Sequence, residues 1–289
     1  MIGKKKKLVG FFFILPGAIV LISFIVLPIL MTIYWGFSKY DAFGSPKWIG
    51  LTNYIKLFQS DEYLISLKHN VIFFLCALVF QNTLAYILAI MINFIRRGKR
   101  VFESIIFMPV VISSVATAFM FVVFFNGDSG AFNTLLRPLG IEKAWLSDSS
   151  TVLPVVIFTQ LWQYLGIHFM IYYAAVSNVS TEILESASID GAGVLGKTFM
   201  ITIPITWETI ITGIIFSFVG CLKAFDFPWI MTRGGPGSAS EYIGVYLYKQ
   251  AFSQTNYGRA SAVAVTILVF SLIFTVILKM SAGRLFRQE

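Results

Sequence analysis

The chain has 289 residues, of which 57% are hydrophobic and 12% charged, with 29 Phe, a mean hydropathy of +0.80 and a formal net charge of +8. Soluble domains carry roughly 25% charged residues, so this composition excludes an ordinary globular domain and points to a membrane protein. The bases lie in short clusters beside apolar runs and not in an aromatic–basic groove, which excludes nucleic-acid binding as the source of the charge.

In chain order, Lys4–Lys7 precedes an apolar run from Leu8 to about Tyr34. That run exceeds the roughly 7–15 residues of a signal-peptide core, so it reads as an uncleaved first span. A bilayer crossing needs about 20 apolar residues in helical form. Six stretches qualify, at about 10–34, 70–95, 101–125, 151–176, 206–231 and 259–280. None shows the ten-residue alternation of barrel strands. The expected fold is an all-α polytopic membrane protein of six transmembrane helices, forming one domain over 1–289. The longest segment outside these spans, Trp35 to Lys68, is too short to bury the core of a soluble catalytic domain. Its Trp35, Tyr40, Trp48 and Tyr54 suit an interfacial aromatic belt. Cys76 and Cys221 fall inside apolar spans and read as packing residues.

Six spans put both termini on one side. With the termini in the cytoplasm, twelve bases lie inside: Lys4–Lys7, Arg96, Arg97, Lys99, Arg100, Lys197, Lys279, Arg284 and Arg287. Nine lie outside, spread through longer loops. Clusters close to span ends set orientation, and these favour cytoplasmic termini.

The loop from about 177 to 205 is the densest polar segment between spans. Ser180 or Thr181 suits a helix N-cap, and Glu182 complements the dipole of the first turn. Ile183, Leu184, Ala187 and Gly191 share one helical face. Gly191 and Gly193 end or bend that helix, and Pro204 marks re-entry into the membrane. A short amphipathic helix–turn–helix on the cytoplasmic surface is expected, offering an apolar patch with acidic neighbours to a soluble partner. Gly191 to Thr198 also reads GAGVLGKT, a literal match to the phosphate-loop pattern. That pattern needs a preceding strand inside an α/β domain, and none is expected here. Neither an H-E-x-x-H nor a G-x-S-x-G motif is present, so no catalytic, cofactor or metal residues are assigned.

The stretch Glu182-Ile-Leu-Glu185-Ser-Ala187-Ser-Ile-Asp190-Gly191-Ala192, followed by Phe199 and Pro204, resembles the EAA loop of binding-protein-dependent ABC importer permeases. Ser186 replaces the middle alanine of that pattern, and Ser180 stands where a proline is common. Leu15-Pro16-Gly17 with Pro28, and Trp48 through Asn53-Tyr54, are similar to the maltose-permease-like first membrane subunit of the sugar-uptake branch. Lys223-Ala-Phe225-Asp226 and Thr232-Arg-Gly234-Gly235-Pro236-Gly237 resemble the outer end of the fifth span in the same branch.

The resemblance implies a permease subunit of an ATP-driven carbohydrate importer, with oligosaccharide as the expected cargo, in the bacterial cytoplasmic (inner) membrane. It implies a heterodimer with a second permease, an extracellular sugar-binding protein, and two cytoplasmic ATPases that hold ATP and Mg2+. The chain itself is then no enzyme. Glu182, Glu185, Ala187, Asp190, Gly191 and Pro204 would form the ATPase-coupling element, with Glu185 and Asp190 orienting it and Ala187 and Gly191 allowing close approach. A sugar path needs polar groups and aromatic faces. Asn82, Gln160, Trp162, Gln163, Tyr164 and Asp226 are the candidates, although intramembrane polar residues also serve as interhelical glue. His168 reads as a satisfied packing residue. Lys223 and Asp226 lie three apart, a spacing that pairs them on one helical face. They are also the charges an alternative, ion-coupled secondary transporter would use, but the inverted repeats and broken helices common in that class are not evident in the sequence.

Overall fold

The computed structural model describes residues 2–95 and 97–285, with side chains from 11 to 281 apart from those of Phe12 and Arg96. Arg96 and Arg287 lie outside the described residues, as do the side chains of Lys4–Lys7 and Arg284. Five helices are long and apolar enough to cross a membrane: Phe13–Gly36, Asp61–Asn93, Val152–Ser177, Val194–Thr232 and Tyr257–Ser281. They are called spans one, two, four, five and six. Span three is a pair, Lys99–Val111 and Ser114–Phe124, bent by 90° at the break between them.

Three expected boundaries shift. Span two begins at Asp61 rather than about 70, because Tyr63, Ser66 and Asn70 supply a buried face that hydropathy alone does not register. Span three, expected as one helix over 101–125, is broken: Ile112 and Ser113 are extended, with ψ of 138° and 135°. Pro109 removes a backbone donor just before the break. Span five starts at Val194, ahead of Pro204, and then breaks at Ala224 (ψ 125°) before a last turn Asp226–Thr232. Broken helices are therefore present.

Pro204 does not begin a helix. It follows a π-helical turn, Thr198–Thr202, as Pro28 follows another at Ile22–Val26. A proline ring clashes with the carbonyl four residues back, and widening the turn relieves that clash while the helix continues. A third π-turn, Ala77–Asn82, contains no proline; there the Asn82 Nδ2 donates to the Ala77 carbonyl at 2.9 Å and occupies the gap in the ladder.

The chain divides into two compact units. One comprises the residues up to Asp61 with Leu247–Leu268. Within it, Asn53 Nδ2 donates to the carbonyls of Gly36 (3.0 Å) and Ser38 (2.9 Å), tying the end of span one to a two-stranded hairpin, Ser38–Lys39 against Lys47–Trp48. Trp48 stacks on Phe37 at 5.3 Å. The apolar side chains of span one point outward, Phe13 being 84% and Phe24 76% exposed, as expected of a helix whose solvent is lipid or a partner.

The other unit, Glu62–Tyr246 with Val269–Glu289, holds spans two to five. Span four is its centre, with Val155, Val156, Phe169 and Tyr172 buried. A Cβ at Gly166 would come within 2.6 Å of the Ile106 carbonyl, so the missing side chain lets span four meet Lys99–Val111 at backbone distance. Asn70 bridges span two to the Cys221 carbonyl (2.6 Å) and to the Ile243 amide (2.7 Å). The Gly-Gly-Pro segment closes on itself: Ser240 Oγ donates to the Gly235 carbonyl at 2.7 Å, and Gly234 is left-handed at φ +84°.

Candidate functional site

Two polar constellations stand out, one inside the bundle and one at a loop. The first is a cleft of about 260 Å3 between spans two, four and five, lined by Gln81, Gln160, Tyr164, His168, Lys223 and Asp226 among others. Span four contributes Gln160, Tyr164 and His168 at spacings of four, which place them along one helical face. Gln160 borders the cleft and is 4% exposed, and its Oε1 is buried without a hydrogen-bond partner, as is that of Gln163. Such a group is costly to leave unpaired. Aromatic faces supply the rest of the wall, with Tyr164 edge-on to Phe227 at 6.3 Å.

Of the residues expected on the path, the structure brings together Gln160, Tyr164 and Asp226. Asn82, Gln163 and Trp162 stand elsewhere. Asn82 is engaged on both ends of its amide: Nδ2 reaches Ser217 Oγ at 2.8 Å and Oδ1 accepts from the Tyr172 hydroxyl. Ser217 Oγ in turn meets His168 Nε2 at 2.7 Å, while His168 Nδ1 faces the Tyr164 carbonyl at 3.2 Å. This is a continuous polar chain through spans two, four and five, and His168 is a satisfied packing residue that also borders the cleft. Gln163 Nε2 caps the Ile112 carbonyl at 2.8 Å, at the break of span three. Trp162 packs edge-on to Phe121 at 5.3 Å and lines a separate apolar cavity of about 640 Å3.

Lys223 and Asp226 do not share a helical face, because the helix stops at Lys223 and restarts at Asp226. Asp226 Oδ2 instead accepts from Ser114 Oγ at 2.8 Å. Arg137 and Glu142 form an ion pair on the surface. Sequence reasoning passed over Ser114 and Ser217, because an isolated serine in an apolar run signals nothing until its neighbour across the bundle is known.

The second constellation is the loop between spans four and five. Thr181–Ile189 is helical, with Ser180 at the N-cap position but without a side-chain capping bond. Its end is a Schellman motif: the Ala192 amide donates to the Ala187 carbonyl at 2.8 Å, and the Gly191 amide donates to that of Ser188 at 3.1 Å. Gly191 sits at the left-handed position, φ +84°, and nothing lies within 4 Å of where its Cβ would be. Leu184 and Ala187 are half-buried against the chain, whereas Glu182, Ile183, Glu185, Ser186 and Asp190 are exposed and Ile189 is 87% exposed. The GAGVLGKT stretch is thus preceded by a helix, not a strand, and the Lys197 ammonium donates to Ser188 Oγ. It has no phosphate-loop geometry.

The fold is that of a polytopic helical membrane protein with a polar cleft between its spans. Residues 81–287 match the family model described as binding-protein-dependent transport system inner membrane component. The chain is 34% identical over 274 residues to the probable ABC transporter permease protein YurN of Bacillus subtilis, covering 93% of this chain and 94% of that one. It is 28% identical over 270 residues to the diacetylchitobiose uptake system permease protein NgcF of Streptomyces coelicolor, covering 88% and 76%. In fold it is similar to a chain in the crystal structure of a bacterial alginate ABC transporter in complex with its alginate pentasaccharide-bound periplasmic protein. That match has a TM-score of 0.86, 22% identity, and 98% and 96% coverage. The chain belongs to the family of binding-protein-dependent transport system inner membrane components. It is a permease subunit of an ABC transport system, and the relatives it matches are transport permeases, not enzymes.

Proposed function

We propose that the chain is one of two membrane subunits of an ATP-driven carbohydrate importer, with oligosaccharide as cargo, and that both termini face the cytoplasm. The loop helix Thr181–Ile189 then lies on the cytoplasmic face and docks on a soluble ATPase, which holds the ATP and Mg2+. A second permease completes the path, and an extracellular binding protein delivers the sugar. The observation that carries the coupling assignment is the exposed face of this helix: Ile183 and Ile189 stand exposed beside the exposed Glu182, Ser186 and Asp190 among the described residues. An apolar patch with acidic neighbours suits docking into a cleft of another protein. Glu182, Glu185 and Asp190 orient the contact, and Gly191 ends the helix so that the chain can turn back through Pro204.

Carbohydrate cargo is supported by the relative that takes up diacetylchitobiose and by the chemistry of the cleft. Gln160, Tyr164 and Asp226 offer hydroxyl-reading groups beside aromatic walls, the combination that replaces water around a sugar ring. Asn82, Gln163 and Trp162 act one layer back, holding the spans that carry those groups. The ion-coupled alternative finds no support among the relatives, which are permeases of ABC transport and sugar-uptake systems, even though spans three and five are broken.

Expression with the genes that neighbour it tests the reading. Co-purification of an ATPase and a second permease is expected, together with uptake of labelled di- and oligosaccharides that requires ATP. Uptake that persists without an ATPase but collapses with the proton gradient would overturn it.

A further inference from the structure

The two broken spans meet at their breaks. Ser114 is the first residue after the break in span three, and Asp226 is the first residue of the helix after the break in span five. Ser114 Oγ donates to Asp226 Oδ2 at 2.8 Å, and the half-helices Ser114–Phe124 and Asp226–Thr232 pack against one another. On the other side of the break, Lys99–Val111 is held to span four through the close approach at Gly166. Between the two halves stands Gln163, whose amide caps the Ile112 carbonyl that the break releases. The Gln163 side chain is 2% exposed, so water does not replace that bond when it is lost.

We propose that Ser114 and Gln163 are positioning residues that latch the two breaks to each other and to span four, so that Ser114–Phe124 and Asp226–Thr232 swing as one body. This rests on the permease reading above, since Asp226 also lines the cleft and any movement of the latch reshapes its wall. The acceptor is a carboxylate, but the bond is exposed to the cleft and water competes with it; the extended residues around it carry little helical hydrogen bonding to resist opening. An ordinary local cap would protect only its own break. A latch protects both.

Hydrogen–deuterium exchange on the full chain in lipid nanodiscs separates the two. Ser114→Ala is expected to speed exchange about threefold at residues 111–117 and also at 224–230, the loss of one exposed side-chain bond from the opening equilibrium. Asp226→Ala should match it, and the double variant should exchange no faster than the faster single one. Asp226→Asn, which keeps an oxygen to accept from Ser114 but loses the charge, should fall between the parent chain and Asp226→Ala. Gln163→Leu should open the first break and, through the latch, the second. In the complex co-purified with its ATPase, Ser114→Ala should also raise ATP hydrolysis in the absence of any sugar, a readout that loss of a merely local cap leaves unchanged.

Faster exchange confined to residues 111–117 in Ser114→Ala, no change at either break, or additive effects in the double variant would overturn the latch. Those outcomes, in a complex that still hydrolyses ATP with its binding protein, leave the permease reading intact. Failure of any ATPase to co-purify with the parent chain defeats that reading instead, while the exchange data still decide the latch.

Discussion

Buried polar side chains in this bundle do two different jobs, and their hydrogen bonds tell them apart. Tyr172, Asn82, Ser217 and His168 satisfy one another across three spans, and Gly213 leaves the room, since a Cβ there would overlap the Tyr172 hydroxyl. Tyr172→Phe leaves the Asn82 Oδ1 without its donor and should destabilise the purified complex by about 1 kcal/mol, seen as a lower apparent melting temperature. Gly213→Ala should cost more, because it displaces the ring instead of removing one atom; the yield of monodisperse protein reads this out. Gln160 is the opposite case. Its Oε1 is buried without a hydrogen-bond partner and the residue borders the cleft, so Gln160→Leu should hold or raise the melting temperature while lowering sugar uptake. A parallel loss of both would return Gln160 to the packing class. The residue types were legible in the sequence as polar groups at membrane depth. Which of them were already satisfied was not, because the partners lie between 49 and 135 positions away.

At the scale of elements, the loop helix shows why a residue's strain and its docking role must be tested separately. Gly191 holds a left-handed φ, and an alanine there costs on the order of 1–2 kcal/mol at the helix end, enough to fray Thr181–Ile189 without touching any partner. Ala187 is half-buried in its own chain, so bulk there also disturbs this subunit first. Ser186 is exposed on the outward face. Ser186→Trp is therefore expected to abolish ATPase co-purification while leaving membrane insertion and melting temperature unchanged, and normal assembly of that variant would remove this face from the interface. The helix and its end at Gly191 could be read from spacing and glycine alone. Its rotation could not: Ile183 belongs to the exposed face and not to that of Leu184 and Ala187. The break in span three was hidden, because the apolar run continues through Ile112 and a single Pro109 does not dictate a 90° bend; the break in span five falls between Lys223 and Asp226, whose spacing suggested an unbroken helical face.

For the whole molecule, transport should depend on ATP and not on an ion gradient. Lys223→Gln is accordingly expected to leave any response of uptake to a proton ionophore as small as in the parent chain, measured in energised vesicles; a new or lost ion dependence would reopen the charge-coupled alternative. Membrane class, the number of apolar stretches and the coupling-loop resemblance followed from the sequence by itself, because each rests on local composition or on residues close in the chain. Tertiary structure alone decided which polar groups line the cleft, where two spans break, and that Ser114 and Asp226 meet at those breaks. Those outcomes depend on which side chain supplies a hydrogen bond that lipid cannot, and the donor and acceptor come from different spans.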